Sequence, residues 1–446
     1  MDCPVQKGLA DFIAGCDFDK IPKKFIDDAK LRVLDWYGCA LAGAHYRQME
    51  IAGKYLADLG GTPEATALSV PGKKLPARSA AFINGIAGHV CELDDGHRTA
   101  IGHPGSVTVP VALALGEMTG ASGREFLKAV ILGYDMFART GRTVNPSHYR
   151  TWHTTGTCGT LAAAASAASI LKLDASQANS AIGLACTMAG GLVESFGTHA
   201  KAINIAEACQ NGLDAAVMAK AGLTGSPSGL LGKKGFVAAT CADPHVENLE
   251  NPSEETLVSD TAFFKVYASC GHTNSPLDCL YALMKEHEID RSQIEKITVA
   301  TYKVSVDVAG ANKSESEDVA KFSIPYCFAI SLKYGTVGLP QFADAVRADP
   351  EIQDLASRVT VTEDPEATKL FPRRVAEVTI FFKDGTKISH KVWNSNDAAD
   401  ASVIEAKFRN AAGMLGKEAC DEIIAYVADI ENQKDLGVLV KYLSKV

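Results

Sequence analysis

The sequence has no pair of cysteines at the CxxC spacing of redox or metal sites, although 12 cysteines occur among its 446 residues. Single scattered cysteines behave as small buried hydrophobic residues, so we expect neither a disulfide framework nor a cysteine-rich metal site. The amino terminus lacks a basic start followed by an apolar run. We therefore expect no signal peptide and a cytoplasmic location.

Long apolar runs and an excess of positive charge are also missing. The charge-free run 157–171 is mostly alanine and is too short to cross a membrane. Lys and Arg number 44 against 53 Asp and Glu, so the net charge is −9 and no nucleic-acid or anionic-membrane partner is expected. No GxGxxG motif joins a strand to a helix, and the glycine-rich segment 225–235 lacks the spacing of a phosphate-binding loop. A small molecule is the expected partner.

The hydrophobic periodicity changes along the chain, and a chain of 446 residues exceeds one ordinary core. Helical periodicity predicts helices over 22–43, 77–93, 107–118, 123–140, 157–171, 176–194 and 200–221. Alternating β-branched residues predict a strand over 294–308, and two such runs around Asp384-Gly385 predict a hairpin. We therefore predict a mainly α fold, in which a helical domain of 1–265 plus 395–446 is interrupted by an α+β domain of 266–394.

Polar residues are dense in segment 91–107, between two apolar helical segments. It contains Glu92, Asp94, Asp95, His97, Arg98 and His103. Such groups are costly to bury unless they serve a function, although a solvated loop with local ion pairs is the alternative interpretation. His89 and Glu92 have a spacing that could suit a metal, but a single pair without a partner motif more often reflects packing or capping.

Four later segments also carry cationic or hydroxyl-bearing side chains. The residues of interest are Tyr149, Arg150 and His153, then Lys201, then Lys265 and His272, and finally Tyr326. The first group precedes a Thr/Gly-rich helix start, where backbone N–H groups could bind a carboxylate. Each segment alone has a structural explanation, but their recurrence in one chain favours a functional pocket.

Six motifs occur in a fixed order: ELDD, HPG, WHTTGTCGT, FGTHAKAIN, KVYASCGHT and AKFSIPY, between residues 92 and 326. In this order the chain resembles the MmgE/PrpD family over nearly its whole length. That family includes 2-methylcitrate dehydratase, cis-aconitate decarboxylase and iminodisuccinate epimerase. The resemblance implies a large helical domain interrupted by a smaller α+β domain, a homodimer, and no metal or organic cofactor.

The resemblance also implies which residues of this chain line the pocket. Its acidic positions fall on Glu92 and Asp95, its histidines on His103, His153 and His272, its lysines on Lys201 and Lys265, and its late tyrosine on Tyr326. The loop between Asp95 and His103 is one residue longer than in the decarboxylase and adds Arg98, and Gly96 replaces a hydroxyl residue. These departures favour an epimerase acting on an iminodisuccinate-type polycarboxylate.

The family chemistry implied by this resemblance begins with removal of a proton next to a carboxylate, and fixed cations stabilise the charge that develops. We assign proton transfer to His153 and Lys265, with Tyr149 as the alternative to Lys265, and further catalytic roles to His103 and Tyr326. Substrate binding is assigned to Glu92, Asp95, His97, Arg98, Arg150, Lys201 and His272. The alternatives are a 2-methylcitrate-type dehydratase, a cis-aconitate-type decarboxylase, and a non-catalytic polycarboxylate binder.

Overall fold

The computed structural model describes residues 3–70, 74–258, 262–395 and 400–446. The chain divides into two compact units. The helical unit contains residues 1–90, 94–264 and 399–446, and the mixed unit contains residues 91–93 and 265–398. The second predicted domain boundary, 394/395, borders residues 396–399, which lie outside the described ranges.

The amino-terminal part of the helical unit contains ten α-helices and four two-residue strands among its described residues. The helices are α1 (Pro4–Gly15), α2 (Lys23–Gly43), α3 (Arg47–Leu59), α4 (Ala77–Val90), α5 (Gly105–Thr119), α6 (Gly123–Val144), α7 (Thr154–Ile170), α8 (Ala175–Met188), α9 (Ala200–Lys220) and α10 (Phe236–Thr240). The strands are β1 (Ala65–Thr66), β2 (Lys74–Leu75), β3 (Gly96–His97) and β4 (Ala262–Phe263), paired antiparallel as β1–β2 and β3–β4. Predicted helices 77–93 and 176–194 end earlier than expected, at Val90 and Met188.

Capping and small side chains explain the central helices. Ser122 and Glu125 form a reciprocal capping box at the start of α6, which satisfies backbone N–H groups that have no partner within the helix. All residues of the Ala-rich helix α7 are buried, and α7 packs between α6 and α9. A Cβ atom at Gly212 of α9 would lie 2.4 Å from Ala163 Cβ and from the Thr160 carbonyl oxygen. Glycine at this position therefore permits the close approach of α9 to α7.

The mixed unit has seven α-helices and four strands among its described residues. The helices are α11 (Asn274–Glu286), α12 (Lys303–Ala309), α13 (Glu317–Ala320), α14 (Ile324–Tyr334), α15 (Asp344–Arg347), α16 (Pro350–Ser357) and α17 (Pro365–Lys369). The strands are β5 (Ile294–Thr301), β6 (Val359–Glu363), β7 (Ala376–Phe382) and β8 (Lys387–Val392), in the order β6-β5-β7-β8. Strands β5 and β6 are parallel and the other pairs are antiparallel, with Val299 opposite both Val361 and Val378. The predicted hairpin is confirmed, and Gly385 adopts the positive φ of 85° that its turn requires.

The strand predicted over 294–308 is wrong beyond Thr301, because residues 303–309 form α12. Tyr302 separates the two elements and is buried against Ala367 and Val375, with Val304 packed beside them. Tertiary packing thus overrides the strand preference of the alternating valines.

Three α-helices of residues 400–446 complete the described part of the helical unit: α18 (Ala401–Ala411), α19 (Lys417–Ala428) and α20 (Gly437–Leu443). Among the residues described, none of the helices is both long and apolar enough to span a bilayer. Because α7 is buried inside its own unit, it presents no surface to a partner. The homodimer implied by the resemblance stays a prediction, and helices α8 and α9 of this unit carry exposed residues.

Candidate active site

Five polar residues from distant parts of the sequence meet in the helical unit. We name His89, Asp94, His103, His153 and Lys201 the histidine cluster. His89 lies in the last turn of α4, and Asp94 and His103 lie in the connection to α5. His153 is the N-cap residue of α7, and Lys201 lies in the first turn of α9. Three helix ends therefore position the cluster.

Lys201, His89 and Asp94 form a continuous hydrogen-bonded chain. Lys201 Nζ lies 2.8 Å from His89 Nε2, and His89 Nδ1 lies 2.8 Å from Asp94 Oδ2. Ser106 Oγ donates a further hydrogen bond of 2.7 Å to the same Asp94 oxygen. His89 and Asp94 are each 1% exposed and Lys201 is 5% exposed, so water contributes little to their solvation.

The hydrogen bonds of His103 define its protonation. His103 Nδ1 lies 2.7 Å from the Asp95 carbonyl oxygen, which can only accept, so Nδ1 carries a proton. In the neutral ring Nε2 is then the basic nitrogen. The His103 ring lies 4.9 Å from the His89 ring, centre to centre, and its side chain is 16% exposed, more than those of His89 and Asp94.

His153 has the opposite arrangement. Asn204 Nδ2 lies 3.1 Å from His153 Nδ1, and the same amide nitrogen lies 2.9 Å from Ser195 Oγ and 3.4 Å from the Leu192 carbonyl oxygen. The carbonyl acceptor fixes which amide atom is nitrogen, so His153 Nδ1 accepts and Nε2 carries the proton of the neutral ring. Phe196 covers this side of the cluster, 4.9 Å from the His153 ring and 5.3 Å from Lys201 Nζ.

The cluster therefore presents two imidazoles in complementary states. Neutral His103 offers a basic nitrogen and neutral His153 offers an N–H donor. The centres of these two rings lie 4.9 and 6.4 Å, respectively, from the centre of the His89 ring. Imidazoles exchange protons near neutral pH, and a nearby lysine stabilises developing negative charge. This arrangement can remove a proton from one site and deliver a proton to another.

Asp95 and His97, predicted to bind substrate, are held by protein groups in the loop before α5. The Asp95 carboxylate accepts hydrogen bonds from Tyr134 Oη at 2.8 Å and the Gly105 backbone N–H at 3.1 Å, and Arg32 Nη1 lies 3.4 Å away. Burial raises the pKa of Asp95 to about 7, against the opposing effect of Arg32. His97 Nδ1 accepts from the Ala100 N–H, and burial lowers the pKa of His97 to about 3.

The predicted arginines and Tyr149 occupy different environments. Arg98 is half-buried, with its guanidinium carbon 5.9 Å from the centre of the Phe263 ring. Arg150 is exposed at the end of the short 3₁₀ helix His148–Arg150. Tyr149 is half-buried, and its ring lies 6.1 Å from that of Phe196. Tyr149 thus borders the histidine cluster through Phe196.

The other predicted residues lie in the mixed unit. Lys265, fully buried, lies 3.3 Å from Glu92 Oε2 and donates to the Glu92 carbonyl oxygen over 3.2 Å. We name Lys265 and Glu92 the Lys265 pair. His272 Nδ1 lies 2.7 Å from Tyr302 Oη, and Tyr326 Oη donates to the Gln341 carbonyl oxygen over 2.7 Å. Burial raises the pKa of the Tyr326 hydroxyl.

His89, Asp94 and His103 are the residues of the described ranges whose donor atoms could hold a metal ion, all lying within 4.8 Å of one another. However, the Nδ1 atoms of both histidines lie at hydrogen-bond distance from oxygen acceptors. An ion bound through these two Nδ1 atoms would have to displace both protons. The arrangement therefore favours a hydrogen-bonded cluster, and Glu92, paired with His89 in the sequence-based metal hypothesis, contacts Lys265 instead.

Four residues around the site had no predicted role in the reaction: His89, Asp94, Phe196 and Asn204. Asn204 lies three residues after Lys201 on α9, a spacing that places both side chains on one helix face. That spacing could have indicated from the sequence that Asn204 lies beside Lys201 in the site. The pairing of His89 with Lys201 spans 112 positions and has no local signature.

Comparison with known families covers most of the chain. Residues 7–249 match the model of the MmgE/PrpD N-terminal domain, and residues 267–432 match that of the MmgE/PrpD C-terminal domain. The chain is 25% identical to the cis-aconitate decarboxylase of Homo sapiens, over 98% of this chain and 94% of that protein. It is 26% identical to the cis-aconitate decarboxylase of Aspergillus terreus, over 96% of this chain and 93% of that protein.

Proposed function

Because this chain belongs to the MmgE/PrpD family, we propose that it transfers protons at a carbon next to a carboxylate of a small polycarboxylate, without a cofactor. The proposed reaction is epimerisation of an iminodisuccinate-type substrate. The observation that carries this proposal is the pair of complementary imidazoles. Neutral His103 has its basic nitrogen at Nε2, whereas neutral His153 has its proton there.

In this mechanism neutral His103 removes the α-proton and becomes an imidazolium, and the Lys201 ammonium returns a proton to the planar intermediate, while the His153 N–H donates a hydrogen bond to the enediolate. An epimerase needs one neutral base and one charged acid, and after one turnover His103 is charged and Lys201 is the neutral base for the other epimer. Until it gives up its proton, Lys201 also places a positive charge beside His89 that stabilises the enediolate. The sequence-based pairing of His153 with Lys265 stays a prediction. Within the mixed unit, Lys265 contacts Glu92.

A second candidate is decarboxylation of a cis-aconitate-type substrate, favoured by the cis-aconitate decarboxylases similar to this chain over most of its length. In that reaction the carbon–carbon bond to one carboxylate breaks and CO₂ leaves. The Lys201 ammonium would then protonate the carbanion. The same imidazole pair serves both reactions, so substrate identity decides between them.

Incubation with candidate polycarboxylates in D₂O distinguishes the outcomes. We expect deuterium in recovered iminodisuccinate-type substrate, together with its epimer, and no loss of water or CO₂. Release of CO₂ from cis-aconitate would establish the second candidate, and formation of an alkene would establish a dehydratase. Stabilisation by ligand without exchange or turnover would contradict both and indicate a binding protein.

The assembly is a separate part of the proposal. We expect a homodimer formed by the helical unit, because α9 exposes Ile203 and Val217 on its surface. Sedimentation at micromolar concentration should give twice the chain mass of 47.2 kDa. A mass of a single chain would contradict the dimer.

A further inference from the structure

His89 occupies the centre of the Lys201–His89–Asp94 chain, between a group that can only donate and a group that accepts. A lysine ammonium carries three N–H donors and no acceptor, so His89 Nε2 accepts from Lys201. The His89 Nδ1–H then donates to Asp94 Oδ2. The ring is a neutral imidazole with its proton on Nδ1, and it joins a buried cation to a buried anion.

We propose that His89 relays a proton between Lys201 and Asp94; the proposal deepens the function proposed above and rests on it. In the relay, a proton passes from Lys201 Nζ to His89 Nε2, while the Nδ1 proton passes from His89 to Asp94 Oδ2. One N–H bond breaks and one forms at His89, which ends as the other neutral tautomer. Lys201 becomes a neutral amine and Asp94 a neutral carboxylic acid, so atoms and charge balance.

The relay lets Lys201 act as the base for the epimer opposite to the one that His103 deprotonates, inside a site that is nearly closed to water. Its amine lone pair can take a substrate proton only after the ammonium has lost one, and the surrounding burial leaves few waters to accept it. Asp94 supplies the acceptor through a single imidazole. Ser106 donates to the same Asp94 oxygen and holds that carboxyl in place in both states.

The variant His89→Gln tests the relay, because an amide can accept and donate hydrogen bonds but cannot transfer a proton between two atoms. We expect substrate deuterium exchange in D₂O to fall by about 10²-fold or more, while the Kd of the unreactive tricarboxylate tricarballylate changes less than about threefold. His148→Gln is the matched control. His148 is a buried histidine of the same unit, hydrogen-bonded to Thr157 and to the Thr240 carbonyl. Its replacement should leave exchange within about threefold of the original rate.

Chemical rescue separates proton transfer from packing. In His89→Gly, imidazole should restore exchange at least about tenfold, whereas 1-methylimidazole should not, because it has one nitrogen blocked and cannot both accept and donate. Equal rescue by both compounds, no rescue by imidazole, or nearly normal exchange in His89→Gln would each overturn the relay. If His89→Gln does not fold, the glycine variant carries the test.

A measurement without substrate keeps this inference distinct from the proposed function. Nitrogen NMR of the ¹⁵N-histidine-labelled enzyme should show His89 protonated at Nδ1 and accepting a hydrogen bond at Nε2. An imidazolium at His89, protonated on both nitrogens, would overturn the relay. Absence of solvent exchange in the unmodified enzyme with every polycarboxylate, together with the expected tautomer, would instead disprove the proposed function.

Discussion

Two buried lysines, one in each unit, have partners of different kinds. Lys201 of the histidine cluster donates to a neutral imidazole, with the carboxylate one ring further away. Lys265 lies directly against the Glu92 carboxylate and also donates to its backbone carbonyl. A direct ion pair holds its proton on the lysine and fixes the charge. An imidazole in between allows the proton to move.

The comparison teaches that burial alone does not assign a lysine to chemistry. Both side chains are buried, and both lie in sequence motifs that were predicted to contribute to the site. The group that each lysine contacts determines which property of the protein should change when that lysine is replaced. Loss of Lys201 should mainly affect turnover, and loss of Lys265 should mainly affect stability.

The largest expected effect is on turnover. Lys201→Met should lower the rate of substrate deuterium exchange by about 10²–10⁴-fold, because the cluster loses both its cation and its proton source. Stability should change less than in a Lys265 variant, since His89, which accepts the Lys201 hydrogen bond, is uncharged. The measurement is exchange rate together with urea denaturation, and Lys220→Met, an exposed position on the same helix, is the control.

The next effect is on stability. Lys265→Met should lower the free energy of unfolding by about 3–5 kcal/mol, because it leaves the buried Glu92 carboxylate without its cation. Adding Glu92→Gln should recover part of that loss, since the remaining group is then neutral. Urea denaturation measures both variants. A loss below about 1 kcal/mol, or no recovery in the double variant, would remove the distinction between the two lysines.

The arginines provide a smaller test of which cations contact substrate. Arg98→Leu should raise KM by an amount equivalent to about 1.5–3 kcal/mol, the contribution of one charge-assisted contact. Arg150→Leu should change KM less, because this side chain is exposed on the surface of its unit. Steady-state kinetics with the substrate identified by the D₂O screen checks the ranking, and the reverse order would assign Arg150 to the pocket.

The smallest expected effect comes from histidines that stay neutral when folded. Burial lowers the pKa of His148 from 6.5 to about 4. As the pH falls below 6.5 the unfolded chain gains a proton that the folded chain does not, so stability decreases. The loss at pH 5 relative to pH 7 should be about 2 kcal/mol for this group. Denaturation of the original protein and of His148→Gln at both pH values measures it, and equal losses in the two would contradict the assignment.

Local patterns predicted the parts of the molecule that local interactions determine. The Thr/Gly-rich segment after His153 indicated a helix start, and α7 begins at Thr154, before the predicted range 157–171. The Asp384-Gly385 dipeptide located the hairpin between β7 and β8. In both cases a few adjacent residues decide the backbone conformation.

Contacts between distant residues could not be predicted in this way. The relay joins positions 112 apart, and strand β6 becomes recognisable only through its pairing with β5. Residues 303–309 alternate like a strand but form α12 beside the buried Tyr302. The missing information was tertiary packing, which a single sequence does not show.

Complete burial of α7 has a consequence for the local opening of the site. Its backbone amides can exchange with solvent only when the whole unit unfolds, so their exchange free energy should equal that of global unfolding. Residues 192–199, which include Phe196, are exposed or half-buried and should exchange much sooner. His153 thus lies between α7, whose backbone amides should exchange most slowly in this unit, and segment 192–199, whose amides should be among the fastest to exchange. A bound ligand should slow exchange in segment 192–199 and leave that of α7 unchanged.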